Sequence, residues 1–260
     1  MKINKERALK AFKDYVINYD AGNINIALKI AHTYRVAKIS ERIAKSIINE
    51  QYSVDFAWLL GLLHDIGRFE QVTKYGTFKD ALSVDHAELG ADILFCDNLF
   101  DIFISQKESG LTLKEFQKMK TVAETAIRLH NKLKLPENMD TKTEIYAKIL
   151  RDADKADIFR VLTEPPYDEC YHNMNNLTVK AGIMQCVKEH RCVPRETSIS
   201  QDNELEILIA RCCMAFELEY QESRAIVIEQ GYLKKLLEQD FAQLTFVKNE
   251  IMKALGYDYI

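Results

Sequence analysis

Residues 61–68, with the sequence GLLHDIGR, place an imidazole and a carboxylate at the end of a strongly apolar run. Such a run carries His64 and Asp65 into or beside the core, where an unpaired charge is costly and a bound cation removes the cost. Consecutive side chains on a regular helix point about 100° apart. Joint use of His64 and Asp65 therefore predicts a helix end, with Gly67 relaxing the backbone there. Alone, such a pair more often hydrogen-bonds at a helix end than binds metal.

Further candidate ligands occur on both sides of this pair, each in a segment with a helical apolar pattern. They are His32, His86, His130 and Asp154. The ordered set H…HD…H…H…D resembles the signature of the HD superfamily of metal-dependent phosphohydrolases, in its bacterial stand-alone form. The local contexts are similar too: IAHTYRVAKISERIA, LLGLLHDIGRFEQ, VDHAELGADIL, AIRLHNKLKLP and KILRDADKADIFR. Asp152 and Asp157 compete with Asp154, but the D-A-D-K context resembles the family at Asp154. The other two are predicted to lie at the surface or to support a ligand.

The resemblance implies an all-α fold, a single-domain HD-type helical bundle over residues 1–260. Its metal-binding core would span about 24–162 and its C-terminal helices about 167–260. It also implies two metal ions bridged by Asp65: one bound by His32, His64, Asp65 and Asp154, the other by Asp65, His86 and His130. Some two-metal relatives have a second histidine directly after the position of His130. This chain has Asn131 there, so a third ion is not implied.

Composition independently favours helices. The chain of 260 residues is 47% hydrophobic and has only 9 Gly and 4 Pro, without alternating β-branched runs. Apolar spacing predicts a long helix from Ile24 to about Glu50 and a long amphipathic pattern over 202–230. Helix starts are predicted from their capping residues at Ser53, Asp85, Thr112 and Thr141.

The net charge and the lack of targeting signals limit the partners and the location that we expect for this protein. A net charge of −4 lacks the cationic excess that extended nucleic acid or an anionic membrane would favour. The charged N-terminus and the lack of a long apolar run predict a cytosolic protein. Six cysteines without C-x-x-C spacing are expected to be reduced and mainly buried. His172 and His190 are expected to be ordinary polar residues.

Histidine and carboxylate ligands without thiolates suit Fe, Mn, Ni, Co or Zn. Two such ions about 3.5–4 Å apart can hold a bridging hydroxide and clamp phosphoryl oxygens. Cations beside the ligands in sequence would stabilise the negative charge that develops. Arg68 and Lys155 are the first candidates, and both join Asp65 as predicted catalytic residues. The stretch 66–83 is either a substrate-gripping loop or a solvated connection.

Three functions are compatible with the motif. The leading hypothesis is a phosphohydrolase acting on a small phosphoester such as a nucleotide or nucleoside phosphate. The second is a di-iron oxygenase, because some HD proteins activate dioxygen with the same ligands. The third is a non-catalytic metal- or nucleotide-binding sensor, which the complete ligand set disfavours. The C-terminal helices either buttress the core or form a homodimer face.

Overall fold

The computed structural model describes residues 2–167, 178–194, 203–238 and 242–256. Within these ranges the regular structure is helical and no strand occurs. The all-α prediction is confirmed. The chain divides into two compact units, Met1–Asp154 and Lys155–Ile260. One domain over the whole chain stays a prediction.

The first unit contains α1 to α8 and most of α9. Their bounds are α1 Lys5–Val16, α2 Ile24–Ile47, α3 Gln51–Leu63, α4 Ile66–Tyr75, α5 His86–Phe95, α6 Phe100–Phe103, α7 Gln106–Ser109, α8 Leu113–Leu129 and α9 Thr141–Val161. A 3₁₀ turn, Asp80–Leu82, precedes α5. The second unit contains α10 Ala181–Lys188, α11 Glu204–Cys212, α12 Gln221–Gln230, α13 Tyr232–Leu236 and α14 Ala242–Ala254.

Helix α3 runs through the core of the first unit. Almost every residue from Tyr52 to Leu63 is buried, which explains the lack of a polar face in its sequence. It packs closely on α2 at Gly61, where a Cβ would lie 2.7 Å from Ala37 Cα and 2.7 Å from Ser40 Oγ. This close approach brings the C-terminal end of α3 beside the middle of α2.

Two of the predicted helix starts are confirmed. Asp85 Oδ1 accepts from the backbone N–H groups of Ala87 and Glu88 at the start of α5. Thr112 and Glu115 form a reciprocal capping box at the start of α8.

The other two predicted caps are wrong by one to three residues. Helix α3 begins earlier than expected, with Glu50 at the N-cap position, and Ser53 Oγ donates to Glu50 Oε2 at 2.7 Å. For α9, Asp140 Oδ1 accepts from Thr143 N at 3.1 Å, whereas Thr141 is already helical. At α9 the carboxylate of Asp140 thus takes the capping role expected of the Thr141 hydroxyl, whereas Glu50 makes no side-chain capping bond at α3.

Three further expectations need correction. The stretch 66–83 is not one loop, since Ile66–Tyr75 forms α4 before Gly76 ends it with φ +65°. The pattern over 202–230 is divided by a 3₁₀ segment, Cys213–Glu217. Asp152 and Asp157 are both buried, so the surface alternative is wrong for them.

The described cysteines are mainly buried, as expected. Cys186, Cys192, Cys212 and Cys213 are free and buried, and Cys96 is free and exposed. His190 Nε2 lies 2.8 Å from Glu250 Oε2. Cys170 and His172 lie outside the described residues. No helix in the described part of the chain is long and apolar enough to cross a membrane.

Candidate metal centre

His64 and Asp65 lie at the junction of α3 and α4. Helix α3 ends at Leu63, and the backbone turns at Asp65 (φ −103°, ψ 18°) before α4 begins. The predicted helix end is therefore correct. The expected role of Gly67 is not, because this residue is helical within α4. A Cβ there would lie 2.3 Å from His86 O and 2.6 Å from Gly90 N, so Gly67 allows α4 and α5 to touch.

The two carboxylate oxygens of Asp65 face different pairs of histidines. Oδ2 lies 3.5 Å from His32 Nε2 and 3.4 Å from His64 Nε2. Oδ1 lies 3.5 Å from His86 Nε2 and 3.8 Å from His130 Nε2. The side chain is only 2% exposed. One buried carboxylate thus joins ring nitrogens from α2, α5 and the ends of α3 and α8.

Asp154 completes the group on the Oδ2 side. Its Oδ1 lies 3.1 Å from His32 Nε2 and 3.6 Å from His64 Nε2. Two sets of donor atoms in this cluster are close enough to share a metal ion. They are His32, His64 and Asp154, and His64, Asp65 and His130. The structure therefore brings all six sequence-predicted ligands together within the first unit.

Backbone carbonyls orient two of the histidines. His64 Nδ1 lies 2.8 Å from Gly61 O, and His130 Nδ1 lies 2.7 Å from Ile127 O. A carbonyl only accepts, so each Nδ1 carries a hydrogen, and Nε2 is the atom that can bind metal once the ring is neutral. These local i, i−3 bonds aim both Nε2 atoms at Asp65.

Asp80, which sequence reasoning missed, orients His86. Its Oδ2 lies 2.7 Å from His86 Nδ1, while its Oδ1 accepts from Arg68 and Gln71, each at 2.9 Å. Burial alone would raise the pKa of Asp80, but His86 and Arg68 outweigh it and lower that pKa below its usual range. A charged carboxylate at Nδ1 leaves a lone pair at His86 Nε2, as on carboxylate-supported metal ligands.

These donors fit divalent metal ions. His86 Nε2 and His130 Nε2 lie 3.0 Å apart, although both are lone-pair atoms in the neutral rings. His64 Nε2 is buried without a hydrogen bond of good geometry, between the carboxylates of Asp65 and Asp154. A metal ion bound between these atoms would relieve the repulsion between the two lone pairs and would give His64 Nε2 a partner. Imidazole and carboxylate ligands suit first-row transition ions. The ligand roles themselves stay a prediction.

A family model for the HD domain matches residues 30–158, the segment that contains all six residues. This chain carries an HD domain. No curated protein and no solved structure gave a significant match to the sequence. HD domains bind divalent metals, and most members of the family are metal-dependent hydrolases.

In the absence of metal, the pKa values of His64 and His130 are shifted in opposite directions. Burial disfavours the charged form of His64, but Asp65 and Asp154 outweigh burial and raise the pKa of His64 to about 10. Burial together with the nearby His86 and His64 lowers the pKa of His130 to about 3. The pKa of Asp65 lies well below its usual range, because Lys29 and His64 overcome the effect of burial.

A third group of acidic and histidine side chains already has hydrogen-bond and ion-pair partners. Asp80, Asp85 and His86 lie close enough to share an ion. However, Asp85 Oδ1 caps α5 and accepts from Asn131 Nδ2 at 2.8 Å, and its Oδ2 pairs with Lys132 Nζ at 2.6 Å. Asn131 thus serves the cap of α5, and this group supports the centre structurally.

The two predicted catalytic cations lie in different surroundings. Arg68 Nε is 3.6 Å from Asp65 Oδ1, and Arg68 Nη1 contacts Gln71 Oε1, Phe78 O and Asp80 Oδ1. Arg68 therefore lies at the centre but is tied to the 3₁₀ turn. In the second unit, Lys155 Nζ lies 3.0 Å from Glu217 Oε2. Catalytic roles for both cations stay predictions.

Lys29 is the cation that sequence reasoning missed. Its Nζ lies 2.6 Å from Asp65 Oδ2, and its side chain is 11% exposed. Lys29 precedes His32 by three residues on α2, a spacing that puts both side chains on one helix face. That spacing was the available signal.

Proposed function

We propose that the HD domain hydrolyses a small phosphoester, such as a nucleotide or nucleoside phosphate, with two divalent transition-metal ions. The observation that carries the proposal is the placement of Asp65. Each of its carboxylate oxygens faces its own group of histidine nitrogens. A carboxylate shared in this way supports a dinuclear centre bridged by Asp65, with Fe, Mn, Ni, Co or Zn as candidate ions.

The chain would divide the donors between two positions. His32, His64, Asp65 and Asp154 would hold one ion, and Asp65, His86 and His130 the other. Bound divalent ions lower the pKa of coordinated water toward about 7 and polarise phosphoryl oxygens. The carbonyls at Gly61 and Ile127 and the carboxylate of Asp80 would keep the three rings oriented for this task.

The positive side chains at the centre would offset the charge of the phosphoryl group. Arg68 is well placed for this, because its guanidinium lies between Asp65 and the 3₁₀ turn at Asp80. Lys155 is proposed for the same task from its sequence position beside Asp154. Preorganised cations of this kind stabilise negative charge that develops in a transition state.

A small substrate is favoured over a polymer. The chain carries a net charge of −4. Several cations near the ligands in sequence are engaged by acidic partners, as with Lys132 at Asp85 and Lys74 at Glu70. Binding to a nucleic-acid backbone depends on a continuous set of lysines and arginines.

The cytosolic location and the homodimer stay predictions.

The test is a screen of mononucleotides, nucleoside phosphates and simple phosphoesters against Mn-, Fe- or Ni-loaded protein under anaerobic conditions, scored by released phosphate. Release that is lost in Asp65→Asn and kept in Asp14→Asn is the expected result. Asp14 is a suitable control because its exposed carboxylate pairs only locally with Lys10.

Other results of these assays would indicate a different substrate or a different function. Single-stranded oligonucleotides assayed alongside should be cleaved more slowly than mononucleotides, and faster cleavage would contradict a small substrate. Oxygen consumption with a mixed-valence iron signal and no phosphate release would indicate an oxygenase. Tight nucleotide binding without turnover under any metal would indicate a sensor.

A further inference from the structure

Lys29 places an ammonium group inside the cluster of metal-ligand candidates. Its Nζ lies 2.6 Å from Asp65 Oδ2, the oxygen that also faces His32 and His64. The Lys29 ammonium also lies 5.6 Å from the ring centroid of Phe78. Phe78 follows α4, and its carbonyl is held by Arg68. The lysine is therefore confined between a carboxylate and an aromatic ring.

The position of this ammonium conflicts with a metal ion at the same oxygen. Ligand atoms sit only about 2 Å from a bound transition ion. An ammonium at hydrogen-bond distance from Asp65 Oδ2 repels a second cation that approaches the same oxygen. In the metal-free protein the same contact offsets the cost of burying the carboxylate. Metal binding at this oxygen would thus favour displacement of Lys29.

Once moved, Lys29 would have donors to offer. Among the described residues, Asp65 is its hydrogen-bonding and ion-pair partner. Arg68 differs, because three acceptors already surround its Nη1. Lys155 differs too, since it pairs with Glu217. An ammonium has three N–H donors and binds phosphate oxygens as a point charge.

We propose that Lys29 holds the metal-facing oxygen of Asp65 in the metal-free protein and that, after displacement by a divalent ion, it binds the anionic group of the substrate. The second half rests on the proposed phosphoesterase function. Lys29 would then couple the two events, since the substrate-binding cation becomes available only when the centre is loaded.

The first half is tested by titrating the full-length metal-free protein with MnCl₂ in a calorimeter. Lys29→Met should bind its first Mn²⁺ about tenfold more tightly than wild type, or better, because a competing like charge is gone. Lys29→Arg keeps the charge and should stay near the wild-type affinity. Lys38→Met is the matched control, since Lys38 is an exposed lysine of the same helix. Unchanged or weaker Mn²⁺ binding by Lys29→Met, with the control at wild type, overturns the competition.

The second half uses inorganic phosphate as the probe, at Mn²⁺ concentrations that saturate every variant. Phosphate should bind Lys29→Met about tenfold more weakly, with partial rescue in Lys29→Arg. Equal phosphate affinity in wild type and Lys29→Met overturns this role. Neither titration depends on turnover. A wild-type protein that binds Mn²⁺ and phosphate yet hydrolyses no phosphoester would defeat the proposed function while still deciding the role of Lys29.

Discussion

His86 Nε2 and His130 Nε2 lie 3.0 Å apart, with Asp80 at the Nδ1 of His86 and the carbonyl of Ile127 at the Nδ1 of His130. Both outer partners are acceptors, so both inner nitrogens of the neutral rings are lone pairs. The fold therefore holds two hydrogen-bond acceptors close to each other and to Asp65 Oδ1. A cation bound by both nitrogens would stabilise this arrangement. The hydrogen bonds at the two Nδ1 atoms therefore contribute to metal affinity.

Removal of single ligands should distinguish the two ion positions. Asp65→Ala is expected to lose both ions, because each would lose its shared charged oxygen. His130→Ala should lose mainly the ion on the His86 side and keep about one per chain. Metal counting on purified, desalted variants gives the answer. Two ions retained by Asp65→Ala would refute the bridging role.

Metal-free protein should lose stability in alkaline solution through His64. Its pKa rises to about 10 in the folded protein because Asp65 and Asp154 outweigh burial, against about 6.5 in an unfolded chain. The folded state thus binds the proton more tightly. This contribution is fully present below about pH 6.5 and is lost as pH rises through about 10.

The measurement compares the free energy of unfolding of wild type and His64→Gln in chelator between pH 6 and 10.5. The difference between the two proteins should shrink as pH rises, because other alkaline titrations are common to both. A constant difference would contradict the raised pKa. Metal binding near pH 7 should also release a proton from His64, which calorimetry in buffers of different ionisation enthalpy detects.

The sequence predicted what short-range patterns encode. The ligand contexts and the caps at Asp85 and Thr112 are local signals, and the structure reproduces their geometry. Asp80 was missed because its approach to His86 depends on a 3₁₀ turn that Arg68 and Gln71 of α4 hold in place by hydrogen bonds to Asp80. Lys29 was missed because a lysine in the first turns of an amphipathic helix is usually solvated. Only the position of α3 beside α2 brings it to Asp65.

Gly67 should be intolerant of even one added methyl group. A Cβ there would lie 2.3 Å from His86 O and 2.6 Å from Gly90 N, both backbone atoms that cannot swing aside. Gly67→Ala should destabilise the protein by about 1–3 kcal/mol. Since α5 must shift to make room, binding of metal on the His86 side should weaken as well.

Gly182 provides the matched control for that substitution. It is helical within α10, and nothing lies within 4 Å of the position that an added methyl group would take. Gly182→Ala should stabilise by about 0.5–1 kcal/mol through helix propensity. Chemical denaturation of both variants gives the free energies. A Gly67→Ala protein as stable as wild type would contradict the close contact of α4 and α5.

Asp80 should act on metal affinity through His86. Asp80→Ala removes the acceptor at His86 Nδ1 and an anchor of Arg68. Loss of such a support typically weakens metal binding about 10–100-fold. The weakening should fall on the ion near His86, with the ion at His32 and Asp154 retained. Metal titration checks this, and Asp101→Ala, which removes an exposed partner of Lys120, is the control. Equal weakening at both positions would argue for a general loss of structure.

Arg68 and Lys155 should affect turnover rather than metal content. Neither donates an atom to the proposed ion positions, so Arg68→Ala and Lys155→Ala are expected to keep wild-type metal counts. Loss of a charge-stabilising donor should lower phosphoester turnover by about tenfold or more. Lys10→Ala, which removes an exposed cation, should leave turnover unchanged. Arg68 also anchors Asp80, so its variant is informative only where the metal count is intact. Wild-type turnover in both variants, across several substrates, would leave Arg68 as a support of the 3₁₀ turn and Lys155 as the partner of Glu217.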